Sequence, residues 1–137
     1  MQIAIVTKGK SRRSLEAIMA CAVTLNAICL ETHDETQIPY LYDSGIRYRR
    51  EPRGRPVYEG REERWDTIPQ VMEQGWGDCD DLAMWRVAEL NVREGIAARA
   101  IFEEVGMGSW HVLVEHPDGT LEDPSEHLGM YEQLRTG

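Results

Sequence analysis

Cys79, His111 and Asp123 are the residues of this chain best suited to do chemistry together. The thiol sits in Gly77-Asp78-Cys79-Asp80-Asp81-Leu82-Ala83. The imidazole opens the apolar run His111-Val112-Leu113-Val114, and the carboxylate follows the turn His116-Pro117-Asp118-Gly119. A thiol, an imidazole and a carboxylate are the parts of a nucleophilic acyl-transfer site. The thiolate attacks a carbonyl, the imidazole takes and returns a proton, and the carboxylate orients the ring and steadies its charged form. The oxyanion that forms also needs donors. The Cys79 backbone amide is one candidate, and the Gln74 amide or the Trp76 indole, just upstream, is the second.

Each of these residues has a plainer role when taken alone. Cys79 would be core filler, His111 a hydrogen-bonded strand histidine, and Asp123 a turn residue before Pro124. A thiol flanked by Gly77, Asp78, Asp80 and Asp81 is nevertheless a poor core position, and the joint order of the three favours a thiol site. Zinc is the competing use of Cys79, His111, Asp123 and His116, since all three ligand types bind it. No second cysteine lies near and no Cys-x-x-Cys or His-x-x-x-His spacing occurs, so no metal and no other cofactor is expected. His116 and His127 read as surface residues. Cys21 and Cys29 lie in an apolar helical segment and read as core filler, and three cysteines without a close pair argue against a disulfide framework.

The elements that must position this chemistry follow from periodicity and punctuation. A short strand is expected at Ile3 to Val6, then a helix from Ser11 or Ser14 to Leu30. Leu15, Ile18, Met19, Ala22, Leu25, Cys29 and Leu30 mark its buried stripe. From His33 to Gly75 periodicity fades among prolines and glycines, which predicts a long irregular segment with short strand pieces, of the kind that lines binding sites. A second helix is expected from Gly77 or Asp78 to Glu94, capped by Asp78 and stopped by Gly95. Cys79 then lies in its first turn, where the helix dipole favours the thiolate. Three solvated carboxylates about 7 Å away would each cost that thiolate roughly 0.5 kcal/mol, so activation must lean on a nearby histidinium.

Three strands are expected next, at Ala97 to Glu103, Trp110 to Glu115 and Thr120 to Asp123. If Pro117 to Gly119 form a three-residue loop, His116 opposes Thr120, and His111 and Asp123 share a face as diagonal neighbours. A two-residue loop would put them on opposite faces.

Length and charge set the bounds. One domain over residues 1–137 is expected, long enough to bury roughly two thirds of its unfolded surface. The apolar start Met1 to Val6 is too short for a signal peptide or a membrane span, which predicts a soluble, cytoplasmic protein without a membrane partner. The net charge is -9, unevenly divided: residues 1–64 carry eleven Lys/Arg against nine Asp/Glu, and residues 65–137 four against fifteen. Arg47, Arg49, Arg50, Arg53, Arg55, Arg61 and Arg64, interleaved with Tyr48, Tyr58 and Trp65, could be read as a nucleic-acid strip. An acidic protein repels a polyanion, so no nucleic-acid partner is expected and the strip reads as a solvated segment paired with nearby acids. Trp65, Trp76, Trp85 and Trp110 read as core and cleft wall.

Four blocks carry a resemblance: Gly77-x-Cys79-x-Asp81-Leu82-Ala83 at a helix start, Gly95-Ile96-Ala97-Ala98-Arg99, His111-Val112-Leu113-Val114-Glu115, and Asp118-Gly119-x-x-x-Asp123-Pro124. In order and spacing they resemble the transglutaminase-like superfamily of papain-like thiol enzymes, above all its small members encoded by bacteriophages and prophages. The resemblance covers residues 70–125, and a proline common in the Gly-Ile block is Ala97 here. It implies an α+β fold with a papain-like core, in which the cysteine helix packs on a small antiparallel sheet carrying the other two residues. It also implies Cys79 as nucleophile, His111 as base and then acid, and Asp123 as orienting group. The expected function is acyl transfer on a peptide or isopeptide bond, by hydrolysis as in a cysteine protease, with a protein or peptide as substrate. Cross-linking as in a transglutaminase, or a non-catalytic phage structural protein retaining the fold, are the alternatives. Oligomeric state is not legible.

Overall fold

The computed structural model of the protein describes residues 2–6, 12–50, 62–105 and 110–131. Helix α1 spans Arg12–Glu31, and its inward stripe is Leu15, Met19, Ala22, Asn26 and Leu30. Leu15, Met19, Ala22 and Leu30 are as the three- and four-residue spacing predicts, whereas Ile18 and Leu25 are only half-buried and Asn26 joins the stripe. Cys21 is exposed and Cys29 only half-buried, because Cys21 lies about 100° around the helix from Ala22, off the stripe. By length and composition α1 could cross a membrane, a property that lies beyond the six-residue apolar start. Its stripe packs instead into the protein core, against the helix that carries Cys79 and the strand that begins at Arg99.

The stretch from His33 to Gly75 is more ordered than expected. It contains a 3₁₀ turn at Leu41–Asp43, strand β2 at Arg47–Tyr48, strand β3 at Glu62–Asp66 and helix α2 at Ile68–Gln74. Strand β3 pairs antiparallel with β1, Gln2–Val6. Helix α2 was hidden by Pro69, which reads as a breaker but stands in the first turn, where no intrahelical N–H is needed. Buried Asn26 on α1 accepts the Ile68 N–H at 2.9 Å, which ties the start of α2 to α1.

Strand β4, Trp76–Gly77, pairs parallel with β2, setting Arg47 opposite Trp76 and Tyr48 opposite Gly77. Gly77 is required here by close approach. A β-carbon added to it would lie 3.1 Å from Leu82 Cδ2 and 3.2 Å from Asp81 Cβ. Helix α3 then runs Cys79–Arg93, as its cap predicts. Asp78 and Asp81 form a capping box, each carboxylate accepting the other's backbone N–H. The chain leaves α3 through Gly95 at φ +67°, a conformation side chains disfavour.

Strands β5 (Arg99–Glu104), β6 (Trp110–Glu115) and β7 (Leu121–Glu122) form an antiparallel sheet in that order. Helix α4, Pro124–His127, follows β7. The molecule is therefore a mixed α+β structure in which the cysteine helix packs on β6 of a small antiparallel sheet. Helix α3 is buried on most sides because it separates two apolar clusters. One joins it to α1, Trp65, Phe102 and Val112; the other joins it to Leu41, Ile68, Val71 and Leu128. Trp65 and Trp85 lie in these clusters, whereas Trp76 and Trp110 are half-buried.

Candidate active site

The β6–β7 hairpin closes through the three-residue loop. His116 N–H donates to Thr120 O and Gly119 N–H to His116 O, both at 2.9 Å, and Val114 pairs with Glu122. In this register His111 and Asp123 share a face, and His111 Nε2 meets Asp123 Oδ2 at 2.8 Å with both side chains about 15% exposed. A carboxylate only accepts, so Nε2 carries the hydrogen and the lone pair of the neutral ring sits on Nδ1. Asp123 Oδ1 meanwhile accepts the Glu126 N–H at 3.2 Å and caps α4. One carboxylate thus holds the ring with one oxygen and a helix start with the other.

The hydrogen bond to Asp123 raises the His111 pKa, burial opposes it, and the charges of Asp123, Glu103 and Glu126 reinforce the rise. Glu103 stands directly opposite His111 in the β5–β6 ladder. The His111–Asp123 attraction contributes fully below the ordinary histidine value of about 6.5 and fades as pH rises through the elevated folded value.

Cys79 is the first residue of α3, half-buried against the apolar cluster of Trp65, Phe102 and Val112. Its neighbours differ from the three solvated acids expected. Asp80 and Asp81 are buried, because the cap turns Asp81 inward, where its Oδ1 accepts the Asp66 N–H at 2.6 Å. Burial first, then the charge of Asp78, pushes the Asp81 carboxyl well above its usual range. Whenever it holds its proton, one of the three repulsions on the thiolate disappears. The carboxylates of Asp78, Asp80 and Asp81 lie within 4.8 Å of one another, the group among the described residues with the spacing to share a cation. Asp78 and Asp81 are used in the helix cap and its anchor to β3.

Tyr48, within the arginine strip, is half-buried on β2. Burial raises its phenol pKa, and the charges of Cys79, Asp78 and Asp123 raise it further, so its hydroxyl stands within electrostatic reach of thiol and carboxylate alike. The β2–β4 pairing puts it there, opposite Gly77. An aromatic residue among arginines was the only signal in the sequence; the parallel pairing had none.

Of the two expected oxyanion donors, Gln74 uses its amide inward: Nε2 donates to Asp66 Oδ2 at 3.2 Å and to Trp76 O at 2.7 Å. Both amide hydrogens are thereby engaged. Trp76 has the Arg49 guanidinium 5.3 Å above its ring, a cation–π contact that takes up one strip arginine. Arg53, Arg55, Arg61 and Tyr58 lie outside the described residues. His116 is a further correction. It is half-buried and bonds Glu122 Oε1 through Nε2 at 2.9 Å, because the hairpin turns it toward α3. His127 is exposed as expected, stacked on Tyr42 at 3.8 Å.

The exposure of Cys21 changes what thiol labelling should give. With iodoacetamide near pH 7, Cys21 is expected to react alongside Cys79. Cys29, whose pKa burial raises, should lag. Peptide mass spectrometry of a time course checks this; Cys29 reacting before Cys21 would contradict the burial pattern.

No family model, no curated protein and no solved structure matches the chain.

Proposed function

We propose that the protein is a thiol-dependent acyl-transfer enzyme of the transglutaminase-like, papain-like kind, which hydrolyses a peptide or isopeptide bond through Cys79, His111 and Asp123. The observation that carries this reading is the 2.8 Å bond from His111 Nε2 to Asp123 Oδ2. It leaves Nδ1 as the basic nitrogen, in a protein whose half-buried cysteine opens a capped helix. In the reaction the Cys79 thiol gives its proton to Nδ1 and the sulfur adds to the substrate carbonyl carbon. The tetrahedral oxyanion is held by the Cys79 backbone N–H and the Trp76 indole. The C–N bond then breaks, and the leaving amine takes the proton from the imidazolium. Water attacks the resulting thioester, its proton passes to Nδ1, and the acid and the free thiol are released. Asp123 stays ionised throughout and fixes the ring.

Hydrolysis is favoured over cross-linking because water is always present, whereas an amine acceptor needs a pocket of its own. The substrate is a protein or peptide; the net charge of -9 opposes a nucleic acid. A cytoplasmic location belongs to the same proposal.

The test is acylation by p-nitrophenyl acetate, which demands only a nucleophile and a base. The expected result is a burst of p-nitrophenolate stoichiometric with protein, with the acetyl group on the Cys79 peptide, followed by slow release of acetate. Added methylamine should leave that release unchanged if water is the acceptor, and should yield N-methylacetamide if an amine is. Absence of a burst, or acetyl found only on Cys21, would overturn the assignment.

A further inference from the structure

The side chain of Glu122, next in sequence to Asp123, collects an unusual set of partners. Its Oε2 receives Arg86 Nε at 2.6 Å and the Tyr42 hydroxyl at 2.5 Å, and its Oε1 bonds His116 Nε2 at 2.9 Å. Arg86 also donates through Nη1 to Glu89 Oε2 at 2.7 Å and lies 4.7 Å over the Tyr42 ring. Glu89 in turn accepts the Leu41 N–H at 2.8 Å. Four separate parts of the chain meet here: the 3₁₀ turn, α3, the turn after β6, and β7. The His111 and Asp123 side chains bond each other beside this network.

Its place relative to the candidate site is what gives it meaning. Arg86 stands seven residues after Cys79, two helical turns along nearly the same face of α3. Glu122 precedes Asp123 by one residue, at the end of a strand only two residues long. Such a strand has little ladder of its own to fix its position. The charged bond between Arg86 and Glu122 therefore couples the helix that carries the thiol to the residue beside the orienting carboxylate.

We propose that Glu122 is a positioning residue of the candidate site, holding Asp123, and through it the His111 ring, at a set place relative to the Cys79 helix by its bond to Arg86. The inference rests on the thiol-enzyme reading above for its purpose, but its geometry stands by itself. Charge-assisted bonds of this kind are roughly twice as strong as neutral ones, and a carboxylate that accepts from an arginine, a tyrosine and a histidine has little freedom to move. The carboxylate is also kept ionised. Burial alone would push its pKa up, but the three hydrogen bonds outweigh that and hold it below the usual glutamate range.

The experiment uses the full chain carrying Cys21→Ser and Cys29→Ser, so that Cys79 is the sole thiol, with and without Glu122→Ala or Glu122→Gln. Two quantities are read: the titration midpoint of the His111 imidazole by NMR, and the rate of Cys79 alkylation by iodoacetamide against pH. Melting temperature is recorded beside them. In the Glu122 variants Asp123 loses its hold, so the His111 midpoint should fall toward about 6.5. Alkylation near neutral pH should slow on the order of ten- to a hundredfold. A variant that melts earlier but keeps both the His111 midpoint and the Cys79 rate shows a merely structural role and overturns the proposal. Should Glu122→Ala fail to fold, Glu122→Gln, which keeps the volume and removes the charge, carries the same decision. If Cys79 in the parent reacts no faster than a free thiol, the thiol-enzyme reading fails, and the His111 midpoint still decides whether Glu122 positions the pair.

Discussion

Cys79→Ala is expected to abolish the acyl burst and any turnover, a loss on the order of 10⁴-fold or more, while the protein stays folded. The size follows from chemistry: without sulfur no thioester forms, and only the weak help of the oxyanion donors remains. The intact fold follows from position. Cys79 is half-buried at the first residue of α3, and the helix start is held by Asp78 and Asp81, neither of which is touched. His111→Ala should cost nearly as much, since it removes the base. Asp123→Ala should cost less in rate, because the residue acts through the ring, but it also removes the cap of α4, worth about 1 kcal/mol of stability. Asp123→Asn keeps an acceptor for that cap and isolates the effect on the ring. Burst amplitude and circular dichroism, measured on the same preparations, check both halves. A Cys79→Ala protein that retains the burst refutes the mechanism.

The second large effect is on stability. Glu89→Ala is expected to cost about 3–5 kcal/mol, a large share of the 5–15 kcal/mol available to a domain of ordinary stability. Glu89 is fully buried on α3, with one oxygen on Arg86 Nη1 and the other on the Leu41 N–H. Its removal strands two donors at once, one of them charged, and leaves a void beside the 3₁₀ turn. Burial raises the Glu89 pKa more than Arg86 and Leu41 lower it. Arg86 remains charged because Glu122 shares it, the two carboxylates outweighing the effect of burial on the guanidinium. Glu89→Gln, which still accepts from Leu41, should lose less. Urea unfolding midpoints decide the matter, and a Glu89→Ala protein within 1 kcal/mol of the parent would show that the network contributes little.

What the sequence made legible was local. Asp78 before a periodic apolar stretch marked the start of α3, and Pro117-Asp118-Gly119 set the hairpin register that brings His111 and Asp123 to one face. Both are short-range signals, since a cap and a turn are written in neighbouring residues. What escaped was long-range or ambiguous. Pro69 concealed α2 because a proline in the first turn and a proline in a loop look alike in sequence. The exposure of Cys21 is not legible because an apolar helix with a wide stripe blurs which residues lie at its edge. The Arg86–Glu122 pair spans 36 positions and Tyr42–Glu122 spans 80, distances over which no local pattern operates. The one trace was Arg86 and Glu89 at helical spacing within an otherwise apolar run, a charged pair where solvent-facing residues were not needed. Tyr48 is set opposite Gly77 by a two-residue parallel pairing that no periodicity announces.

The divided carboxylate of Asp123 makes the imidazole and the short helix after it thermodynamic partners. One oxygen serves His111 and the other the Glu126 amide, so the rotamer that suits one contact is the rotamer that suits both. By linkage, a proton taken up on His111 tightens the first turn of α4, and fraying of α4 makes His111 a weaker base by the same free energy. The segment that follows β7 is thereby a reporter of the ring's charge: its order rises and falls with each proton that the imidazole gains or gives away.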